Sequence, residues 1–187
     1  GNFLRTHCIL TDLTERLQSA EQLRLAAAVF EQSAEGIIIF DATHNVLMVN
    51  QAYVKMTGYA AAELIGKPPP VMDTGCNDAS FMRAMWESVG MHGSWHGELW
   101  NRRKDGDLYP ELASVSRVHD EDGKVSHYIA IVTDISAHKA NEAHINRLAH
   151  FDALTGLPNR SLLADRVGQA LSRVERNAES LALIFMD

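Results

Sequence analysis

The chain has few of the residues that staple or anchor small proteins. Only two cysteines occur in 187 residues, Cys8 and Cys76, far apart and without a CxxC pair. Neither a disulfide framework nor a zinc site is signalled, and two reduced thiols in a cytoplasmic protein are what such usage implies. Long apolar runs are missing too. None approaches the roughly 18 to 20 residues needed to cross a bilayer, and no basic segment leads into an apolar one at the N-terminus. No membrane contact is expected of these residues, which leaves open an anchor elsewhere in a longer parent. Positive charge is short: 17 Lys and Arg stand against 24 Asp and Glu, a net charge of -7, and they are scattered. A nucleic-acid partner, which needs a concentrated basic surface, is not expected.

What remains is an ordinary globular composition, 46% hydrophobic and 22% charged, with room for one domain and additional pieces. Ile9-Leu10-Thr11-Asp12-Leu13-Thr14 is echoed by Ile131-Val132-Thr133-Asp134-Ile135-Ser136, each followed by a polar helical stretch. The echo reads as a domain ending that occurs twice, with residues 1–12 the end of a preceding copy. From Leu13 an apolar stripe at Leu17, Ala20, Leu23, Ala27 and Phe30 predicts a helical linker and cap over residues 13–30.

Two strands follow, Gly36 to Phe40 and Val46 to Asn50, then short helical patterns that Pro68-Pro69-Pro70 interrupts. Asp78 is a predicted N-cap for a helix carrying Phe81, Met82, Met85, Trp86 and Val89 and ending near Gly90. Strands are then predicted at Ser94 to Arg102, Asp107 to His119 and Lys124 to Thr133, joined by turns containing Gly106 and Gly123. This order describes an α+β domain over residues 31–137, with one antiparallel sheet and helices on one face. A linker helix is predicted over residues 138–150, with Ile145 and Leu148 on one face. A new unit, residues 151–187, opens with an Asp152 to Arg160 loop, continues as a helix from Ser161 to about Arg176, and reaches an apolar strand at Leu181 to Met186.

Five motifs in order carry a resemblance. They are the Gly36 to Asp41 strand, the passage from Val49-Asn50 to Thr57-Gly58-Tyr59, Glu63-Leu64-Ile65-Gly66-Lys67, Asn101 to Gly106 ("NRRKDG"), and Thr133 to Ser136 ("TDIS"). Together they resemble a PAS domain, which implies a five-stranded antiparallel sheet with a helical layer enclosing a pocket. Asp152 to Arg160, "DALTGLPNR", resembles the opening of GGDEF domains, which make cyclic di-GMP from two GTP. The resemblance makes residues 151–187 a truncated α/β start of that domain and places Asp187 as a magnesium ligand in an intact parent. The signature turn and the remaining metal and guanine contacts of that family are not among these residues, so no cyclase activity is expected of them alone.

Within the PAS-like region, "AMWESVGMHGSWHGELWNRRKD" from Ala84 to Asp105 is similar to flavin-binding PAS domains of nitrogen-fixation redox regulators. That similarity implies non-covalent FAD contacted by Trp86 and Asn101, with Met82 and Met85 as apolar wall; the acidic residue of such sites aligns with Pro69. The other reading stays open: Trp86 as a core residue, Asn101 as a strand polar group, and a pocket empty or filled by another small molecule. The helix from Asp78 to Val89 lacks the histidine that haem-binding relatives use there, and no "NCRFLQ" follows Lys67, so neither haem nor cysteinyl-flavin photochemistry is expected. Asp134, where the last strand meets the linker, is the expected signal-coupling residue. The implied function is a sensor module controlling a diguanylate cyclase, working as a homodimer. The alternative is a ligand-free dimerisation scaffold.

Overall fold

The computed structural model of the chain describes residues 14–69, 75, 77–177, 180, 182 and 184. The expected preceding-domain remnant at residues 1–12, Leu13, both cysteines and Asp187 lie outside these residues, as does most of the expected strand from Leu181 to Met186. The chain divides into two compact units, the first ending at Ile135 and the second beginning at Ser136.

In the first unit the helix α1, Thr14–Gln32, precedes five strands: β1 (Gly36–Asp41), β2 (Val46–Val49), β3 (Ser94–Arg102), β4 (Leu108–His119) and β5 (Val125–Asp134). Between β2 and β3 lie α2 (Gln51–Thr57), α3 (Ala61–Leu64) and α4 (Ala79–His92). The sheet order is β2-β1-β5-β4-β3, antiparallel throughout. Tight turns make β1–β2, β3–β4 and β4–β5 neighbours, and the β1–β5 pairing closes the centre of the sheet with Gly36 to Asp41 opposite Val132 to His127.

One face of this sheet is the core. Ile38 and Phe40 of β1, Leu99 of β3, Ala113 and Val115 of β4, and Ala130 and Val132 of β5 are buried at alternate positions, as a pleat with one wet face requires. Tyr53, Leu64, Met85 and Val89 cover them from the helices. Each large side chain so buried contributes about 1.5 to 3 kcal/mol relative to exposure.

The helix α4 starts where expected, Asp78 accepting the Phe81 amide at 2.7 Å. It runs past the predicted end at Gly90 to His92. Gly90 costs a helix about 1 kcal/mol but does not stop it. Gly93 does, at φ 86°, donating its amide to the Val89 carbonyl.

Pro110 sits within β4, yet no ladder bond is lost. Its carbonyl accepts from Ile135 at 3.1 Å, one position beyond the last β4–β5 pair, Glu111 and Asp134, so the missing donor lies outside the paired register. On β3 the facing residue, Trp100, turns its backbone outward. There the Asn77 side chain accepts from its amide at 3.0 Å and donates to its carbonyl at 2.6 Å, a local substitute for an edge partner.

Asn50, fully buried, ties the helices to the sheet. Its Oδ1 accepts from the Ile37 amide (2.9 Å) and the Tyr53 amide (3.0 Å), and its Nδ2 donates to the Phe30 carbonyl (3.0 Å) and the Glu35 carbonyl (2.9 Å). One side chain thereby caps α2, holds the last turn of α1 and anchors β1.

The second unit comprises α5 (Ser136–His150), a compact turn and α6 (Arg160–Asn177). The family-like loop is a turn built on Asp152, whose Oδ1 accepts from the Thr155 amide and hydroxyl at 2.9 and 2.8 Å. Asn159 then caps α6 through the Leu162 amide at 3.0 Å and donates to the Ala149 carbonyl at 2.8 Å.

Replacing Asn50 with alanine strands four backbone partners, two amides and two carbonyls, at a buried junction. A loss of about 3 kcal/mol is expected from unsatisfied buried groups, read as a lower urea midpoint at unchanged slope. A loss below about 1 kcal/mol contradicts this role.

Candidate ligand pocket

The four residues singled out from sequence converge. Met82, Met85 and Trp86 of α4 face Asn101 of β3 across a cavity whose floor is the buried face of the sheet. Met85 and Asn101 are buried, Met82 and Trp86 half-buried, and Pro69 closes part of the rim. The lining is almost wholly apolar. Its polar groups gather at one end, where Asn101, Glu111 and Tyr53 meet.

Glu111 is the feature that sequence reading missed. It lies on β4, only 2% exposed. The Asn101 amide donates to its two oxygens at 3.3 and 3.2 Å, and the Tyr109 hydroxyl donates at 3.0 Å. Burial pushes its pKa up to about 7, although the Asn101 and Tyr109 hydrogen bonds favour the ionised form. The signal was present in the chain: in Tyr109, Glu111, Ala113, Val115 the inward side of an alternating strand carries one acid. Tyr53, from α2, brings a buried hydroxyl with no hydrogen-bond partner among the described residues, and the Trp86 indole N–H is likewise unpartnered. Burial, then the charge of Glu111, raises the Tyr53 pKa, so it stays a neutral donor.

Trp86 is neither a plain core residue nor free. Its ring stacks on His44 with centroids 3.7 Å apart and planes 12° from parallel, and meets Tyr128 edge-on at 5.2 Å. His44 sits in the β1–β2 turn at φ 67°, a left-handed conformation that costs a residue with a Cβ. Asp41 holds that turn, its Oδ1 accepting from the Thr43 amide at 2.8 Å and the Asn45 amide at 2.9 Å. No local pattern in the sequence marks His44 as a partner of Trp86.

Asp134 pairs with Arg103, a residue also missed. The Arg103 guanidinium donates to the Met56 carbonyl as well and lies 4.0 Å above the centre of the Tyr109 ring. In the β4–β5 register Asp134 stands directly opposite Glu111. Two carboxylates thus share one side of the sheet, and the Arg103 guanidinium pairs with one of them.

The lining offers a flavin an apolar slot with the Glu111 carboxylate, the Asn101 amide and the Tyr53 hydroxyl among its polar groups. Glu111 supplies from β4 an acid that Pro69 does not. The free volume is about 30 Å³, room for a water or two, where a ring system needs on the order of 300 Å³. As it stands the cavity does not hold such a ring system.

A carboxyl whose pKa is raised by folding binds its proton more tightly in the native state. Stability therefore falls as pH rises from the unfolded value of 4.5 towards 7. Between pH 5 and 8 the wild type should lose on the order of 3 kcal/mol relative to Glu111→Gln, because each pH step of one between those two values is worth about 1.4 kcal/mol. Parallel urea midpoints for the two proteins across that range would contradict the burial argument.

Comparisons with known proteins agree with this geometry. The family model "PAS domain" matches residues 34–137, and "Diguanylate cyclase, GGDEF domain" matches residues 149–187. A nitrogen fixation regulatory protein of Klebsiella oxytoca is 28% identical over 137 residues, covering 72% of this chain and 28% of that protein. An uncharacterized signaling protein of Caulobacter vibrioides is 30% identical over 167 residues, covering 88% of this chain and 19% of that protein. The chain thus spans less than a third of the length of either relative. Among solved structures, the PAS domain of a Colwellia psychrerythraea protein superposes with a TM-score of 0.55 at 21% identity, over 62% of this chain and 98% of that one. The five-stranded sheet, its helical cover and the matched residues place the chain in the PAS domain family, with a segment of the GGDEF family following in the same polypeptide.

Proposed function

We propose that the chain is the signal-input part of a diguanylate cyclase, in which the PAS pocket takes up a flavin and its state reaches the cyclase domain through the segment after β5. The observation that carries this reading is the order of matches: a PAS domain at residues 34–137 and the start of a cyclase domain at 149–187, with α5 occupying the interval. A cyclase that joins two GTP molecules needs two half-sites facing one another, so an input that alters pairing of two copies gates it. Asp187 serves in this reading as a magnesium ligand of the intact cyclase.

The pocket residues divide the work. Met82, Met85 and Trp86 give the ring system an apolar wall, and Asn101 offers its amide to the polar edge. A bound flavin supplies reversible two-electron chemistry, the basis of a redox signal. Asp134, held by Arg103 at the end of β5, is where such a signal leaves the sheet.

The small cavity favours a second reading, a scaffold that dimerises without ligand. Both readings need a pairing surface. Leu17 and Leu23 on α1 are 67% and 72% exposed, and Ile145 and Leu148 on α5 are 64% and 57% exposed. Of the stripe read on α1, Phe30 is half-buried and belongs to the domain instead.

Light scattering at tens of micromolar should give twice the chain mass of 20.7 kDa, and Leu17→Glu with Leu23→Glu should shift it towards monomer while the sheet stays folded. A monomeric wild type removes the pairing argument from both readings. To separate them, the protein is incubated with excess FAD and passed through a desalting column. Retained absorbance near 450 nm that bleaches with dithionite, and that falls in Asn101→Ala, supports the sensor. A colourless product supports the scaffold.

A further inference from the structure

The helix α4 covers the pocket, and hydrogen bonds tie it to the sheet at both ends. Just before its first turn the Asn77 side chain bonds both backbone groups of Trp100 on β3, at 2.6 and 3.0 Å. Past its last turn Arg117 of β4 donates its amide to the Gly93 carbonyl at 3.1 Å and its guanidinium to the Gly90 carbonyl. Between these ties Met82, Met85, Trp86 and Val89 meet the sheet through apolar contact, which has area but no direction.

One contact in that middle stretch does have direction. Trp86 stacks on His44 with centroids 3.7 Å apart, and Tyr128 of β5 meets both rings edge-on, 5.2 Å from Trp86 and 5.0 Å from His44. On backbone grounds histidine suits this turn poorly. Among the described residues His44 is the one with a Cβ at positive φ, 67°, a position that glycine or asparagine fills at lower cost. The turn holds it there regardless: Asp41 accepts from the Thr43 amide and hydroxyl and the Asn45 amide through Oδ1, and its carbonyl accepts from the His44 amide at 3.0 Å. A strained conformation held so firmly marks a side chain with a use. What His44 adds to the turn is a flat ring.

We propose that His44 is a latch on α4: its stack on Trp86 keeps the middle of the helix seated on the sheet, and release of the stack lets α4 lift and admits solutes to the pocket. Tyr128 fixes the pair from β5, so the latch joins the β1–β2 turn, the helix and a central strand at one point. His44 and Tyr128 stand outside the cavity lining. Access to the pocket is therefore governed from a turn that no pocket ligand has to touch.

The test reads access with hydrogen peroxide on the whole chain, with no ligand added. Met85 lines the cavity and is 4% exposed, whereas Met91 of the same helix is 71% exposed and serves as the internal standard. Sulfoxide formation at each is located by peptide mass spectrometry. His44→Gly removes the ring and relaxes the turn, and should raise the Met85 rate relative to Met91 about fivefold, the worth of an aromatic pair. His44→Phe keeps both a ring and the backbone strain, and should stay within about twofold of wild type. A residue that only shapes its turn gives the reverse order, with Phe the more damaging. In Trp86→Leu, which removes the other half of the stack, His44→Gly should add less than about twofold.

An unchanged Met85 rate in His44→Gly overturns the latch. So does a rise in His44→Phe equal to that in His44→Gly, or an undiminished His44→Gly effect in the Trp86→Leu background. If His44→Gly does not fold by circular dichroism, His44→Asn, which tolerates the left-handed backbone and lacks the ring, takes its place with the same expected rise. An unchanged Met85 rate in that variant overturns the proposal equally.

Discussion

Asn50 is the joint on which the first unit depends. Its four hydrogen bonds reach α1, the β1 entry and α2 at once, and no other residue type has both two acceptor and two donor positions in so short a side chain. Because it is wholly buried, none of these bonds is exchanged for water, and each partner is satisfied only while the three elements keep their present arrangement. The position of α1 is therefore set by hydrogen bonding at its last turn. The rest of that helix, with Leu17, Leu23 and Val29 exposed, leaves its apolar side chains open to solvent.

Glu111 is the opposite case, a buried group that weakens the fold near neutral pH. Its hydrogen bonds to Asn101 and Tyr109 recover part of the cost of removing a carboxylate from water, and burial still dominates, as the raised pKa records. A well-packed apolar residue would serve the sheet better. An acid kept near its titration point beside a slot lined by methionine, tryptophan and an unpartnered tyrosine has chemistry to offer a ligand that an apolar residue lacks. The neighbouring pair of Arg103 and Asp134 sits at the end of β5, so the electrostatics of the pocket and of the domain's exit share one guanidinium.

Much of this is legible along the chain. Alternation in β3, β4 and β5, turn residues at Gly106 and Gly123, and the Asp78 cap place the elements within a residue or two, because each of these signals is local. The end of α4 departs from its expected position because two glycines, Gly90 and Gly93, stand three apart, and only the backbone shows which of them adopts the left-handed conformation. The grouping of Met82, Met85, Trp86 and Asn101 follows from resemblance to a known pattern, and the fold brings them to one cavity. Glu111 carries a signal that passes unread, a single acid on the apolar side of an alternating strand.

The amino-acid order by itself determined the sequence of strands and helices, the caps and turns that bound them, and the family-like loop at Asp152 to Arg160, all of which rest on interactions between residues a few positions apart. Tertiary structure alone decided that Glu111 faces Asp134 across the β4–β5 ladder, that Arg103 lies over Tyr109 and reaches Asp134, and that His44 stacks on Trp86. Those contacts join residues from different elements of the chain. They depend on sheet register and on how α4 lies over the strands, and both are set by packing of the whole buried face, not by any short stretch of sequence.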